Sequence, residues 1–324
     1  MSFKICHIGC GSMSIRGHGP AMKKYAAENP GVILAGCCDL DLEKAREFSG
    51  MFGFSRHYTD WMDMLGKEKP DAVSVAVPVG FTAEISIRIA AMGYNLLAEK
   101  PPGMTGDECR GIIEAVRKAG VTAAAAFNRR HMPLVRRFSD ILDIAGKETV
   151  SSIRCEFHRV GRKDPDFSTT AIHAIDMAIM LAGCGYREWS FKFQPLERTP
   201  VGNIYMNGVM ESGAEVSLAF LPDSGLDAER FSVVAGGDAF FLHMPVWDCP
   251  DYPGRIIHYK EGRRVAEING TEDAMFITSG FYGEHCDFYN SLRNNKPPGY
   301  DISCSLQSVE IMESLRISKN KQIR

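Results

Sequence analysis

Three groups of residues in this 324-residue sequence have types and spacings that suit chemistry. The first is Gly9-Cys10-Gly11-Ser12-Met13-Ser14, a G-x-G-x-x-S turn. Its first glycine permits a tight turn. Its second lets a pyrophosphate approach the main chain, where free N–H groups and the dipole of a following helix stabilise an anion. The third position needs only a small residue, and Ser14 is one. The second group is Asp39, at the end of an apolar run, where a carboxylate can accept hydrogen bonds from ribose hydroxyls. Leu40 follows and no Arg is there for a 2′-phosphate, so NAD is favoured over NADP. The third group pairs Lys100, in Ala98-Glu99-Lys100-Pro101-Pro102-Gly103, with His173 and Asp176 in a helical stretch. Residues three apart on a helix share a face. An imidazole, with an ordinary pKa of about 6.5, can take a hydroxyl proton, and an ammonium can stabilise the charge left behind.

Each group also has a plain structural meaning. A glycine turn can serve a βα connection without a ligand, and Asp39 can cap the helix that begins near Asp41. Lys100 can be a solvated loop residue, and His173 can be packed in a helix interface. The elements around the groups decide between these. Phe3–Ile8, Val32–Cys38, Asp71–Val77, Asn95–Ala98 and Val121–Ala126 are short apolar runs. Helical patterns separate them: one to about Asn29, then Leu42–Met51, Asp60–Leu65, Ala83–Met92, and one opened by the Thr105/Glu108 capping pair. Apolar strands alternating with helices predict parallel βαβ units, hence a doubly wound Rossmann sheet over residues 1–128. The glycine turn, Asp39 and Lys100 then fall at strand ends.

After about residue 148 the rhythm changes. Strand patterns follow one another at Ser151–His158, Trp189–Phe193, Asn203–Met210, Ala214–Phe220, Arg230–Ala235, Ala239–His243 and Arg255–Tyr259. One helix, near Thr170–Ala182, interrupts them, and two helices near Tyr282–Asn294 and Ser303–Ser318 close the chain. Residues 129–324 are therefore expected to form an α+β domain, its last helices able to pack back on the first domain. Met177, Met180 and Leu181 are most simply core. His18 suits either the cofactor or helix-entry packing. Tyr282 and His285 suit core packing with a surface histidine.

Lys plus Arg (37) nearly cancels Asp plus Glu (40), which argues against nucleic-acid binding. No apolar run is long enough for a membrane span, and the amino terminus lacks a leader pattern, so a cytoplasmic protein is expected. The ten cysteines are scattered and none forms C-x-x-C, which predicts reduced thiols and gives no metal-binding set.

Gly9-x-Gly11, Asp39, Ala98-Glu99-Lys100-Pro101 and Ile172-His173-x-x-Asp176 together resemble the Gfo/Idh/MocA oxidoreductase family. Phe127-Asn128-Arg129-Arg130 resembles that family's stretch before the crossover into its second domain. The resemblance spans essentially the whole chain. It implies a second domain with an open-faced, mostly antiparallel sheet that makes homodimers or homotetramers, and an active site over the nicotinamide ring. It implies Lys100 and His173 as catalytic residues. Gly9, Gly11, Ser12, Met13, Asp39, Pro78, Glu99, Lys100 and Asn128 become cofactor contacts. Thr169, Asp176, Arg130 and His158 are candidate substrate contacts, with Arg159 on the opposite strand face from His158. The activity implied is NAD-dependent oxidation of a secondary alcohol on a sugar or cyclitol, or the reverse. Two alternatives stay open: a glycosidase that uses NAD without net redox, and a non-catalytic NAD and sugar sensor. Three departures set the substrate pocket apart from better-known members. Thr169 stands where many have Asp, Asp164-Pro165-Asp166-Phe167 replaces a Gly-Gly pair, and Pro78 is followed by Val79-Gly80-Phe81-Thr82.

Overall fold

A computed structural model describes residues 2–164, 166–247 and 249–322; Pro165, named above, lies outside them. The chain divides into two compact units, Met1–Asn128 with Gly280–Val309 and Arg129–Ser279 with Glu310–Arg324.

In the first unit, β1 (Phe3–Ile8), α1 (Gly19–Glu28), β2 (Val32–Cys38), α2 (Leu42–Phe52), β3 (Arg56–Tyr58), α3 (Trp61–Glu68), β4 (Ala72–Val75), α4 (Val79–Ala91), β5 (Leu96–Glu99), α5 (Gly106–Ala119) and β6 (Ala123–Ala126) alternate. All strand pairs are parallel, in the order β3-β2-β1-β4-β5-β6. This is the doubly wound arrangement, whose strand order reverses between β1 and β4. The strands are apolar on both faces because helices cover both: β4 and β6 are buried at every position. Helix starts follow local chemistry. Asp41 accepts from the Glu43 and Lys44 amides, Asp60 from Met62 and Asp63, and Thr105 from Glu108. The cap of α2 is thus Asp41, which leaves Asp39 for another task.

The expected uninterrupted first helix is instead a π-helical turn, Ser14–His18, leading into α1. Close packing explains the break. A Cβ on Gly17 would stand 2.7 Å from the Phe281 ring, and one on Gly19 would stand 2.5 Å from the Phe52 ring. The three-residue β3 carries little apolar signal and has no counterpart among the expected strands.

The second unit begins with α6 (Pro133–Ala145) and β7 (Val150–His158), then α7 (Ser168–Ala182), β8 (Tyr186–Leu196), β9 (Thr199–Met210), β10 (Glu215–Leu221), β11 (Ala228–Ala235), β12 (Asp238–His243), β13 (Arg255–Lys260) and β14 (Arg263–Asn269). A short helix α8 (Met275–Thr278) precedes α9 (Phe281–Arg293), which belongs to the first unit; α10 (Leu306–Gln322) ends the described chain. The eight strands lie in the order β14-β13-β12-β11-β7-β10-β9-β8. Among the described residues of this sheet, only β7 and β10 pair in parallel. Ile153, Cys155 and Phe157 of β7 share one core with Ala171, Ala174, Ile175 and Ala178 of α7. The alternating residues Arg154, Glu156 and His158 face the other side of the sheet. Both α6 and β14 exceed what the sequence pattern predicts; β14 is an edge strand whose RRVAEIN pattern is dominated by charge.

No disulfide joins the ten cysteines, and most are buried. Among the described residues no helix is long and apolar enough to cross a membrane.

Candidate functional site

The carboxyl ends of β1, β2, β4, β5 and β6 deliver Gly9, Asp39, Pro78, Glu99-Lys100 and Asn128 to one edge of the first sheet. Ligands of open α/β sheets bind at that edge. The glycine turn is locked from below. Gly9 has φ +94, and a Cβ there would stand 2.2 Å from the Ala76 carbonyl oxygen. Only glycine fits that position. The Ser14 hydroxyl donates to the Gly9 carbonyl at 2.5 Å and so accepts from Nε2 of His7 at 3.0 Å. Sequence reasoning required only a small residue at Ser14; the hydroxyl adds a hydrogen bond that closes the turn. Burial pushes the His7 imidazole down to about 4, so it stays neutral.

Gly11 differs from Gly9. A Cβ on Gly11 would meet nothing within 4 Å. The space over its main chain is open, as a pyrophosphate requires. Ser12 is exposed and Met13 half-buried beside it. The half-buried Asp39 accepts from the Cys10 amide at 2.8 Å and from the Asp41 amide at 3.0 Å. These bonds fix the carboxylate beside the turn and aim its remaining lone pairs outward, where a ribose diol can donate to them. Leu40 is 92% exposed and offers no cation. A fixed anion here repels a 2′-phosphate. The residues present therefore fit NAD.

At the end of β5, the Glu99 carboxylate accepts from the Lys100 amide at 2.9 Å, and the Lys100–Pro101 peptide is cis. Behind it His18 is 1% exposed. Its Nδ1 is 3.0 Å from Nε2 of His285, and its Nε2 faces Glu99 at 3.9 Å. Of the two roles His18 suits in sequence, the structure shows packing. Burial pushes its imidazole down to about 3. His285 is fully buried, which corrects the expectation of a surface histidine. Its spacing from Phe281 and Phe288 gave a signal for one buried face but not for how wide that face is.

In the second unit, α7 presents Thr169, His173 and Asp176 within two turns. His173 is 5% exposed, and Thr169 lies one turn before it, half-buried. Arg130 clamps Asp176 with two bonds, Nε to Oδ2 at 2.7 Å and Nη2 to Oδ1 at 2.9 Å. Such planar two-point pairs fix both side chains. Arg130 and Asp176 thus hold each other in place. His158 bonds Ser224 at 2.9 Å on the sheet face away from α7. Arg159 pairs with Glu229, which also takes Arg129 at 2.6 and 2.8 Å. Burial raises the Glu229 pKa, but the two guanidinium groups outweigh it and hold the carboxyl at about 2. This triad had no local signal, since its members are 70 and 100 residues apart.

Residues 3–127 match an oxidoreductase family described by its NAD-binding Rossmann fold. A levoglucosan dehydrogenase of Pseudarthrobacter phenanthrenivorans is 27% identical over 180 residues, 51% of this chain and 43% of that protein. A D-glucoside 3-dehydrogenase of Escherichia coli is 29% identical over 127 residues, 39% of this chain and 35% of that protein. The chain therefore spans less than half the length of these curated relatives in the matched segments. A solved levoglucosan dehydrogenase in complex with NADH and levoglucosan shares the fold, with TM-score 0.84 and 18% identity over 99% of this chain and 98% of that one.

Proposed function

We propose, from the premise that the chain belongs to the Gfo/Idh/MocA oxidoreductase family, that it is an NAD-dependent dehydrogenase acting on a secondary alcohol of a sugar or cyclitol. One observation carries this: the open main chain at Gly11, the Asp39 carboxylate bonded to the Cys10 amide, and Lys100 share one edge of the first sheet. NAD, when bound, supplies the acceptor for the hydride that leaves the carbinol carbon. The chain's own residues do the rest. Gly9 and Ser14 hold the turn, and Gly11 admits the pyrophosphate. Asp39 accepts the adenosine ribose hydroxyls. Ser12, Met13, Pro78, Glu99 and Asn128 line the same strand ends.

His173 takes the proton of the substrate hydroxyl, and Lys100 stabilises the alkoxide charge as it develops. A C–H bond and an O–H bond break, a C=O bond forms, the electron pair leaves with the hydride, and the proton passes to His173. Arg130 and Asp176 position α7, and Thr169 donates a neutral hydrogen bond to the substrate. Residues 1–128 serve as the dinucleotide-binding domain and 129–324 as the substrate domain, except that residues 280–309 fold with the former. The sheet face that carries the part-exposed Val234, Phe241 and Tyr259 joins two copies into a homo-oligomer. Mass measurement by light scattering checks this, and a monomer at working concentration contradicts it.

A panel of sugars and cyclitols, followed by NADH absorbance with NAD and with NADP, tests the activity. Turnover with NAD on at least one polyol is expected. Sugar cleavage without accumulated NADH, or binding of NAD and sugar without turnover, overturns it.

A further inference from the structure

Beneath the ligand edge of the first unit, three side chains from distant parts of the chain point at one spot. His18 comes from the π-helical turn; Glu284 and His285 come from α9. His18 Nδ1 lies 3.0 Å from His285 Nε2 and 3.8 Å from a Glu284 carboxylate oxygen. The three donor atoms all lie within 4.8 Å of one another, and each residue is 2% exposed or less. We propose that His18, Glu284 and His285 bind one Zn²⁺ ion as a structural staple between the first βα unit and α9.

The donor chemistry selects the ion. Two imidazole nitrogens and a carboxylate oxygen are a zinc set, whereas magnesium and calcium take oxygen ligands. Bonds of about 2.0–2.1 Å in a tetrahedron put donors about 3.3 Å apart. The separations of 3.0 and 3.8 Å bracket that value. Glu284 offers one carboxylate oxygen to the cluster, 3.8 Å from His18 Nδ1.

The outer shell agrees. A metal-bound imidazole uses its other nitrogen as a donor to a carboxylate or hydroxyl oxygen. Nδ1 of His285 is 2.9 Å from the Tyr289 hydroxyl, and Nε2 of His18 faces the Glu99 carboxylate. That Glu99 oxygen also accepts the Lys100 amide. The three residues are shielded from solvent, and the site assembles only on folding, because His18 and His285 are 267 residues apart.

The test is metal content and metal-dependent refolding, neither of which needs a substrate. Wild-type protein made in zinc-supplemented medium is expected to hold about one zinc per chain. Glu284→Gln and His285→Gln are expected to lose it. Wild type refolded from denaturant with a chelator should melt at a lower temperature, restored by added Zn²⁺ and not by Mg²⁺. If wild type holds no zinc and refolds alike with and without it, the proposal is wrong, and His18 and His285 share only a hydrogen bond. The wild-type measurement decides even if the variants fail to fold.

Discussion

The two units position their functional groups in opposite ways. In the first, the work is done by main chain: Gly9 turns, Gly11 leaves space, and the Cys10 amide holds Asp39. In the second, it is done by buried ion pairs: Arg130 with Asp176, and Glu229 between Arg129 and Arg159. A turn is set by adjacent residues and survives loss of a distant partner. A buried ion pair fails as soon as one partner goes, because the other charge is left desolvated.

The largest expected effect therefore lies in the second unit. Glu229→Gln strands two buried guanidinium groups and should cost ~3–5 kcal/mol in denaturant unfolding. A loss under ~1 kcal/mol would mean the pair is solvated and the contrast is false. Next, Gly9→Ala forces φ +94 on an L residue against the Ala76 carbonyl, and should cost ~3 kcal/mol. Gly11→Ala sharpens the comparison: stability should stay within ~0.5 kcal/mol while calorimetry shows weaker NAD binding. Equal destabilisation by both would show that the open space at Gly11 has no ligand purpose.

Third, Asp39→Asn should weaken NAD about tenfold or more, the worth of a charge-assisted bond, and narrow the preference over NADP. Acid tests the Glu229 ion pair a second way. The folded Glu229 carboxyl sits at about 2, below its ordinary 4.5. A depressed carboxyl stabilises the fold above its unfolded pKa, and that contribution is lost as pH falls from about 4.5 towards about 2. Wild type should lose stability across that window, and Glu229→Gln should lose less.

The same contrast explains what could be read in advance. β1, β2, the glycine turn and Asp39 are legible because apolar runs, turns and caps are local. Lys100 and His173 were visible as motifs. The partner of Asp176 was not, since Arg130 lies 46 residues away and nothing in either segment names the other. His285 gave the same difficulty: its helix pattern marks one face as buried but not that His18 meets it there. The π-helical turn was hidden because it follows from how Gly17 and Gly19 pack against Phe281 and Phe52, not from helix propensity.

The most direct test of the central claim is steady-state turnover of Lys100→Ala and His173→Ala on the polyol that wild type oxidises, with NAD affinity measured alongside. Each variant is expected to lose ~10²–10⁴-fold in kcat, the usual share of a general base or of a positioned charge, while NAD binds as in wild type. Full activity in both variants would contradict the account.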